Sequence, residues 1–350
     1  YVGLGREHEA RTLLALAPSV PEVTYWRAWL SRTSEPTAAA RHLADANAAS
    51  PALTFPFRAE SVPVFTWAVG QGDAWQPRYY LALIELGRGN DAVARALLRD
   101  VGNAPGYAPF YALRAGLPGE DPAMAATDLQ RAMQLDPAQW RLAKQFVDLR
   151  ISEARYAEAV TLARAAYAKA PSNYIVGMQL ARSLLLDEQP AAALEVLDRL
   201  KVLPYEGSVD GRRLSREAHL RLAMLAPDTR AARRHVADAQ LWPEHLGAGK
   251  PYDADIDRRL DDYVAWRLGE IVAPGSDVAA RDRVLVAGHG PAGVGGLVAA
   301  LALRDAGRTD DARRAFDAWA GTEARAPFVA WGRALMAREA VALPALRHQM

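Results

Sequence analysis

The sequence predicts an all-α fold, a right-handed α-solenoid of stacked helix pairs. Three alanines, Ala125, Ala159 and Ala193, follow one another at intervals of 34 residues, and Pro137 and Pro171 keep the same spacing. Small and apolar residues recur at intervals of three and four within each period, which places them on one face of a helix. A single helix pair cannot bury such a face, so neighbouring pairs must stack.

The first elements precede the regular repeats. Helical alternation predicts three helices near the start of the chain, over residues 5–17, 21–31 and 36–49. Trp75 then opens the first clear helix pair, with Ala94 and Leu98 on its second helix. The second helix of each regular repeat ends at a proline such as Pro171, because a proline inside a helix loses a hydrogen bond and clashes.

The remaining elements continue the same pattern with longer loops. A solenoid grows by adding repeats, so it reaches this length without a domain boundary. We therefore predict one array over residues 1–350. It is most regular over 75–200, irregular and interrupted by inserts over 201–290, and ends in a terminal repeat over 293–345.

Composition excludes several classes of partner. The chain has 350 residues and a net charge of +1, without the clustered basic face that nucleic-acid binding favours. Its basic stretches, Arg212–Arg213 and Arg230–Arg234, are interpreted as solvated helix faces. The longest apolar run is well short of the roughly 20 residues that span a bilayer. We predict neither nucleic acid nor membrane as a partner.

The chain contains no cysteine, so it has no disulfide framework and no thiolate nucleophile or metal ligand. This composition suits a reducing or an oxidising compartment, with the cytoplasm slightly favoured. The first residue is Tyr1 rather than methionine, which is expected of a fragment of a longer protein. The predominance of alanine, arginine and leucine is typical of a bacterial source.

A glycine-rich segment has the spacing of a dinucleotide-binding turn. Gly288, Gly290 and Gly293 match G-x-G-x-x-G, and Val284–Ala287 is a candidate strand before them. Such a motif needs a second strand closed by an acidic residue, whereas the sequence after Ala306 is a repeat turn and a helix. We interpret the segment as a loop between helices, where Gly295 and Gly296 allow close packing, and predict no cofactor.

No motif for nucleophilic catalysis is present, and the seven histidines are scattered. His235 and Asp238 are three residues apart on a predicted helix, and a surface pair is favoured over a metal site. We predict no catalytic residue and no metal. The residues favour a non-enzymatic chain, with an enzymatic role left open.

The position of each residue in the repeat predicts the concave surface. With Tyr174 as the first position, Ile175, Met178 and Arg182 point inward, and the same positions recur in the two preceding repeats. Aromatic and arginine side chains on such a surface are common anchors of recognition; a solvated interior without a ligand is the alternative. The predicted groove-binding residues are Arg78, Tyr79, Tyr107, Phe110, Arg114, Arg141, Lys144, Met178 and Arg182.

Two inserts share a proline, a tyrosine and an acid beside a glycine. They are Leu203–Gly207 and Gly249–Asp253. Loops carry function more often than cores do, but each tyrosine could instead pack on a helix while the proline sets the turn. The predicted loop-binding residues are Tyr205, Glu206, Lys250 and Tyr252.

A 34-residue period of paired helices resembles tetratricopeptide-repeat proteins over at least residues 75–200 and 297–319. Several segments also resemble the repeat region of large bacterial proteins, in which it follows a β-rich domain of unknown function associated with carbohydrate metabolism. This second resemblance implies that the chain is the C-terminal part of a longer polypeptide. The segments that carry it are Phe55–Arg58, Pro77–Leu83, Leu203–Gly207, Arg216–His219 and Gly249–Asp253.

Three functions follow from these observations. The first is a non-enzymatic scaffold that binds a protein or peptide segment in its groove, with the chain's own upstream domain among the candidate partners. The second follows from the resemblance: a helical accessory region of a carbohydrate-active protein, contributing to a glycan site or packing on a catalytic domain. The third, a nucleotide-binding oxidoreductase, is supported by the glycine-rich segment alone.

Overall fold

The computed structural model describes residues 2–204, 209–252, 255–272, 278–286 and 289–339. Within these ranges the chain forms nineteen α-helices and three short 3-10 helices, and no β-strand. The all-α prediction is confirmed. None of the described helices combines the length and the apolar character that crossing a membrane requires.

Short turns and a few longer connections, such as those before Val62, Asp210 and Arg259, join the helices along the chain. The first nine are α1 (Glu7–Leu16), α2 (Pro21–Ser31), α3 (Pro36–Ala48), α4 (Val62–Val69), α5 (Trp75–Gly87), α6 (Asp91–Val101), α7 (Ala108–Ala115), α8 (Pro122–Leu135) and α9 (Trp140–Ser152). The others are α10 (Tyr156–Lys169), α11 (Tyr174–Leu186), α12 (Pro190–Leu197), α13 (Asp210–Leu225), α14 (Thr229–Asp238), α15 (Arg259–Val272), α16 (Val278–Val286), α17 (Gly293–Asp305), α18 (Thr309–Ala320) and α19 (Ala326–Ala337).

The chain divides into two compact units, unit 1 (Tyr1–Gln145) and unit 2 (Phe146–Met350). In unit 1, α2 packs on α3, α5 on α6 and α7 on α8; in unit 2, α11 packs on α12, α13 on α14, α15 on α16 and α17 on α18. Helices of successive pairs also pack together, as α12 does on α13 and α14 on α15. Stacked helix pairs are the arrangement of an α-solenoid. The organisation of residues 1–350 as one array stays a prediction.

Short polar side chains mark where several helices begin. Asp121, Asn173 and Asp228 accept hydrogen bonds from backbone N–H groups in the first turns of α8, α11 and α14, at 2.8, 3.1 and 2.8 Å. These bonds satisfy donors that a helix leaves unpaired at its start. As predicted, Pro171 follows the end of α10.

The repeat alanines lie where the periodicity predicts. Ala125, Ala159 and Ala193 are all buried, each on the second helix of a pair. A residue without a longer side chain lets two helices approach closely at that point. The packing role predicted for these alanines is confirmed.

One turn geometry recurs within four helix pairs. Gly89, Ala154, Glu188 and Gly307 have φ between 57° and 78°, each two residues before the second helix starts. The next residue donates its N–H to the carbonyl five positions earlier, at 2.8–2.9 Å in every case. This bond is that of a Schellman motif, in which the left-handed residue is most often glycine. Ala154 and Glu188 are 34 residues apart, so in these two repeats the period repeats a backbone turn as well as a packing contact.

Candidate functional site

The helix α11 in unit 2 separates a packed face from an accessible one. Gly177 and Ala181 are buried, and a Cβ atom at Gly177 would lie 2.3 Å from the Leu200 side chain. Ile175, Met178 and Arg182 lie at i, i+3 and i+7, and therefore form one stripe along the helix. We call these three residues the α11 stripe. Ile175 and Met178 are half-buried, and Arg182 is exposed.

The charged member of the α11 stripe is exposed and makes no polar contact within the described part of the chain. Arg182 forms no hydrogen bond or ion pair with any residue that the structure describes. Its guanidinium presents five donors in a planar fork that matches a carboxylate. Met178 supplies apolar surface beside it, and its methyl group also supports Gly211 at the start of α13, where a Cβ atom would lie 3.1 Å from Met178 Cε.

Three of the predicted groove residues are buried in the core of unit 1. Tyr79 is 2% exposed, Phe110 0% and Arg114 8%. The Tyr79 ring packs against those of Trp75 and Phe110, with centroid distances of 5.9 and 6.0 Å. The prediction that these three side chains line an accessible groove is wrong, because the aromatic core of unit 1 encloses them.

Arg114 serves as an internal cross-link of unit 1. Its Nε and Nη2 donate to the two carboxylate oxygens of Asp128 on α8, at 2.7 and 2.6 Å. Nη1 also donates to the Gly102 carbonyl at 2.6 Å, and Nη2 to Asn103 Oδ1 at 2.9 Å. The hydrogen bonds that Arg114 donates to Asp128 raise the pKa of Arg114. The guanidinium is fully engaged, so it holds α7 and α8 to the end of α6 and takes no external ligand.

The other predicted groove residues have mixed surroundings. Arg78 is half-buried and donates to the Ala74 carbonyl at 2.9 Å, and the half-buried Tyr107 stacks on Trp75 at 6.2 Å. Arg141 is exposed with its guanidinium 4.5 Å from the Trp140 ring centre, while Lys144 is half-buried. Unlike Arg182, Arg78 and Arg141 have a partner within their own helix or its start.

The predicted loop residues are only partly within the described residues. Tyr205 and Glu206 lie outside them. Lys250 is exposed, and Tyr252 is 85% exposed, so its ring does not pack on a neighbouring helix.

The glycine-rich segment follows a helix rather than a strand. Residues 284–286 belong to α16, so the candidate strand over Val284–Ala287 is wrong in its described part. A Cβ atom would lie 1.9 Å from Asp257 Oδ2 at Gly295 and 1.7 Å from the Pro291 carbonyl oxygen at Gly296. These glycines allow close packing, as predicted. The cavity beside them, about 240 Å³, is below the roughly 300–1,000 Å³ typical of small-molecule pockets.

Two side chains of α13, those of Arg212 and His219, have surroundings that differ from the ones predicted from the sequence. Arg212 is buried rather than solvated, donating to the Ala239 carbonyl at 2.8 Å with its guanidinium 4.9 Å from the Trp242 ring centre. His219 meets His235 across the α13–α14 pair. A sequence signal for this second contact exists, because the two histidines are equally distant from Pro227, in the turn between the helices.

Comparisons with known proteins find similar solved structures but no similar sequence. No protein-family model matches the chain, and no curated protein matches its sequence. The C-terminal part of a TPR repeat-containing protein from Cytophaga hutchinsonii is similar at 12% identity and a TM-score of 0.42, over 68% of this chain and 90% of that one. The pilF protein of Pseudomonas aeruginosa is similar at 19% identity and a TM-score of 0.36, over 71% of this chain and 99% of that one.

Human IFIT1, whose structure is a dimer with PPP-AAAA, is also similar. The identity is 16% and the TM-score 0.35, over 89% of this chain and 67% of that one. These similarities concern the fold alone. None of the three similarities concerns the β-rich upstream domain that the second resemblance implies.

Proposed function

We propose that this chain is a non-enzymatic helical-repeat scaffold that binds an extended protein segment along the α11 stripe. The observation that carries the proposal is Arg182, an exposed guanidinium without a partner among the described residues, beside the half-buried Met178 and Ile175. Stacked helix pairs offer extended binding surfaces, which agrees with a role in protein interaction.

The chemistry of the stripe defines the ligand. An arginine pairs with a carboxylate through two parallel hydrogen bonds, which are charge-assisted and stronger than neutral ones. Met178 and Ile175, one and two turns away, offer apolar contact area, and methionine adapts to differently shaped partners. The expected segment therefore carries an aspartate or glutamate that pairs with Arg182. Before or after this acid it carries apolar side chains that contact Met178 and Ile175.

The proposal is tested by selecting peptides from a displayed random library against the immobilised chain. Selected peptides are expected to combine an acidic residue with apolar ones. Arg182→Ala should raise their Kd at least tenfold, which corresponds to about 1.4 kcal/mol. Arg182→Lys should recover only part of the affinity, because lysine lacks the planar fork.

Arg199→Ala is the matched control, because Arg199 is also an exposed arginine of unit 2 but lies in the turn after α12, outside the α11 stripe. Its Kd should stay within twofold of the wild-type value. Selected peptides that bind Arg182→Ala as tightly as the wild type would contradict the proposal.

The carbohydrate-linked alternative keeps one supporting observation. Tyr252 presents an aromatic ring that is 85% exposed, and such a ring can stack on a sugar. Glycan-array binding that Tyr252→Ala abolishes and Arg182→Ala leaves unchanged would favour an accessory role in a carbohydrate-active protein over the peptide scaffold.

A further inference from the structure

We propose that His219, His235 and Asp238 form a binding site for one divalent transition-metal ion of the zinc class. The three residues come from the α13–α14 pair of unit 2, and none belongs to the α11 stripe. Each contributes one ligand atom, and these atoms lie within 4.8 Å of one another. The inference is independent of the proposed peptide-binding function.

The helix pair brings the ligands together by simple geometry. His235 and Asp238 are three residues apart on α14, so they lie on the same face of that helix. Asp228 Oδ1 accepts a hydrogen bond from the Ala231 N–H at 2.8 Å, and this cap sets where α14 begins. The start of the helix determines in turn which of its faces lies toward α13. His219 meets that face from α13.

The distance between the two histidine nitrogens suits the binding of both to one metal ion. Their Nδ1 atoms are 3.2 Å apart. Two nitrogens bound to a tetrahedral zinc ion at 2.0–2.1 Å are separated by about 3.3 Å. The third ligand, the Asp238 carboxylate, offers an oxygen that lies within 4.8 Å of a ring nitrogen of each histidine.

Partial burial favours metal binding at this place. All three residues are half-buried, so an ion can enter yet remain partly shielded from water. The site accordingly presents two imidazole nitrogens and one carboxylate, the ligand types that zinc prefers.

The surrounding charges leave the carboxylate accessible to an ion. Arg234 Nε lies 3.9 Å from Asp238 Oδ2, but the Arg234 side chain is 83% exposed. An exposed ion pair of this kind contributes little, so Arg234 can turn into solvent when a cation binds. Three protein ligands leave a fourth tetrahedral position for water.

The test uses the full chain without an affinity tag. Zn²⁺ binding is measured by calorimetry, and Co²⁺, whose absorption bands report four-coordinate nitrogen and oxygen ligands, serves as the spectroscopic probe. His219→Asn and His235→Asn remove one ligand each while keeping a polar group near Nδ1. Asp238→Asn removes the carboxylate, and His245→Asn is the matched control, because His245 is an exposed histidine of unit 2 outside the site. Circular dichroism without metal verifies that every variant folds.

One ion per chain is expected to bind the wild type and His245→Asn with the same Kd. Each of His219→Asn and His235→Asn should weaken binding at least tenfold and abolish the Co²⁺ bands, and Asp238→Asn should weaken it as well. Zn²⁺ should raise the Tm of the wild type but not of His219→Asn, because binding to the folded state alone stabilises it. Absence of stoichiometric binding, or an unchanged Kd in the folded histidine variants, would overturn the proposal and leave a hydrogen-bonded histidine pair.

Discussion

Arg114 in unit 1 and Arg182 in unit 2 occupy the same position two 34-residue periods apart, but their surroundings differ. Arg114 is buried and pairs with Asp128, fourteen residues later in the chain. The residue fourteen positions after Arg182 is Val196, which has no carboxylate to offer. Arg114 is therefore a structural cross-link to the acid on the next helix, whereas Arg182, which no such acid follows, is exposed.

The cores of the two units also differ in the kind of side chain that fills them. Unit 1 packs aromatic rings together, with Tyr25 and Phe65 at 5.3 Å and Phe65 and Tyr80 at 5.5 Å. The core around α11 in unit 2 is built from alanine, valine and leucine instead. The rings of unit 1 enclose Tyr79 and Phe110, whereas Arg182 on α11 is exposed.

The largest expected effect is the loss of the buried ion pair of unit 1. Arg114→Ala leaves Asp128 buried without its partner, and breaking such a pair costs about 3–5 kcal/mol. Arg182→Ala should change the free energy of unfolding by less than about 0.5 kcal/mol, since Arg182 is exposed and makes no hydrogen bond or ion pair with the described residues. Urea denaturation measures both.

The double variant Arg114→Met with Asp128→Leu is the control for this pair, because it removes both charges and should recover much of the lost stability. If Arg114→Ala unfolds at the wild-type urea concentration, the contrast between the two arginines fails.

The repeat alanines should respond alike in the two units. Ala125→Leu in unit 1 and Ala159→Leu in unit 2 place extra methyl groups where helices pack closely, at a cost of about 1–3 kcal/mol each. Thermal melting followed by circular dichroism measures the change. A melting curve of Ala159→Leu that matches the wild type would show that the repeat assignment of unit 2 is wrong.

The turns within helix pairs should show a smaller effect of opposite sign. Ala154 and Glu188 in unit 2 hold the left-handed conformation that Gly89 holds in unit 1. Ala154→Gly and Glu188→Gly relieve a backbone strain of roughly 1–2 kcal/mol but increase the conformational entropy of the unfolded chain. The free energy of unfolding should therefore rise by less than about 1 kcal/mol. Gly89→Ala should destabilise by a similar amount. A loss of stability in both glycine variants would contradict the shared turn geometry.

The sequence predicts the helix pairs well, because the alanine and proline spacing reflects a contact repeated in every pair. It predicts the groove less well, because repeat position alone does not reveal which side chain finds a partner. Asp128 fourteen residues after Arg114 was a readable signal of burial. The enclosure of Tyr79 and Phe110 was not, because it depends on rings from several helices. The approach of His219 to His235 needs the pairing of α13 with α14, which follows only once the turn at Pro227 is placed.

A double-mutant cycle between Arg182 and the acidic residue of a selected peptide tests the central claim most directly. The Kd is measured for the wild-type chain and Arg182→Ala, each with the peptide and with its acid replaced by alanine. A direct charge-assisted pair predicts a coupling energy of about 1.5–3 kcal/mol. Additive effects, with a coupling near zero, would show that Arg182 does not bind the carboxylate and would contradict the account.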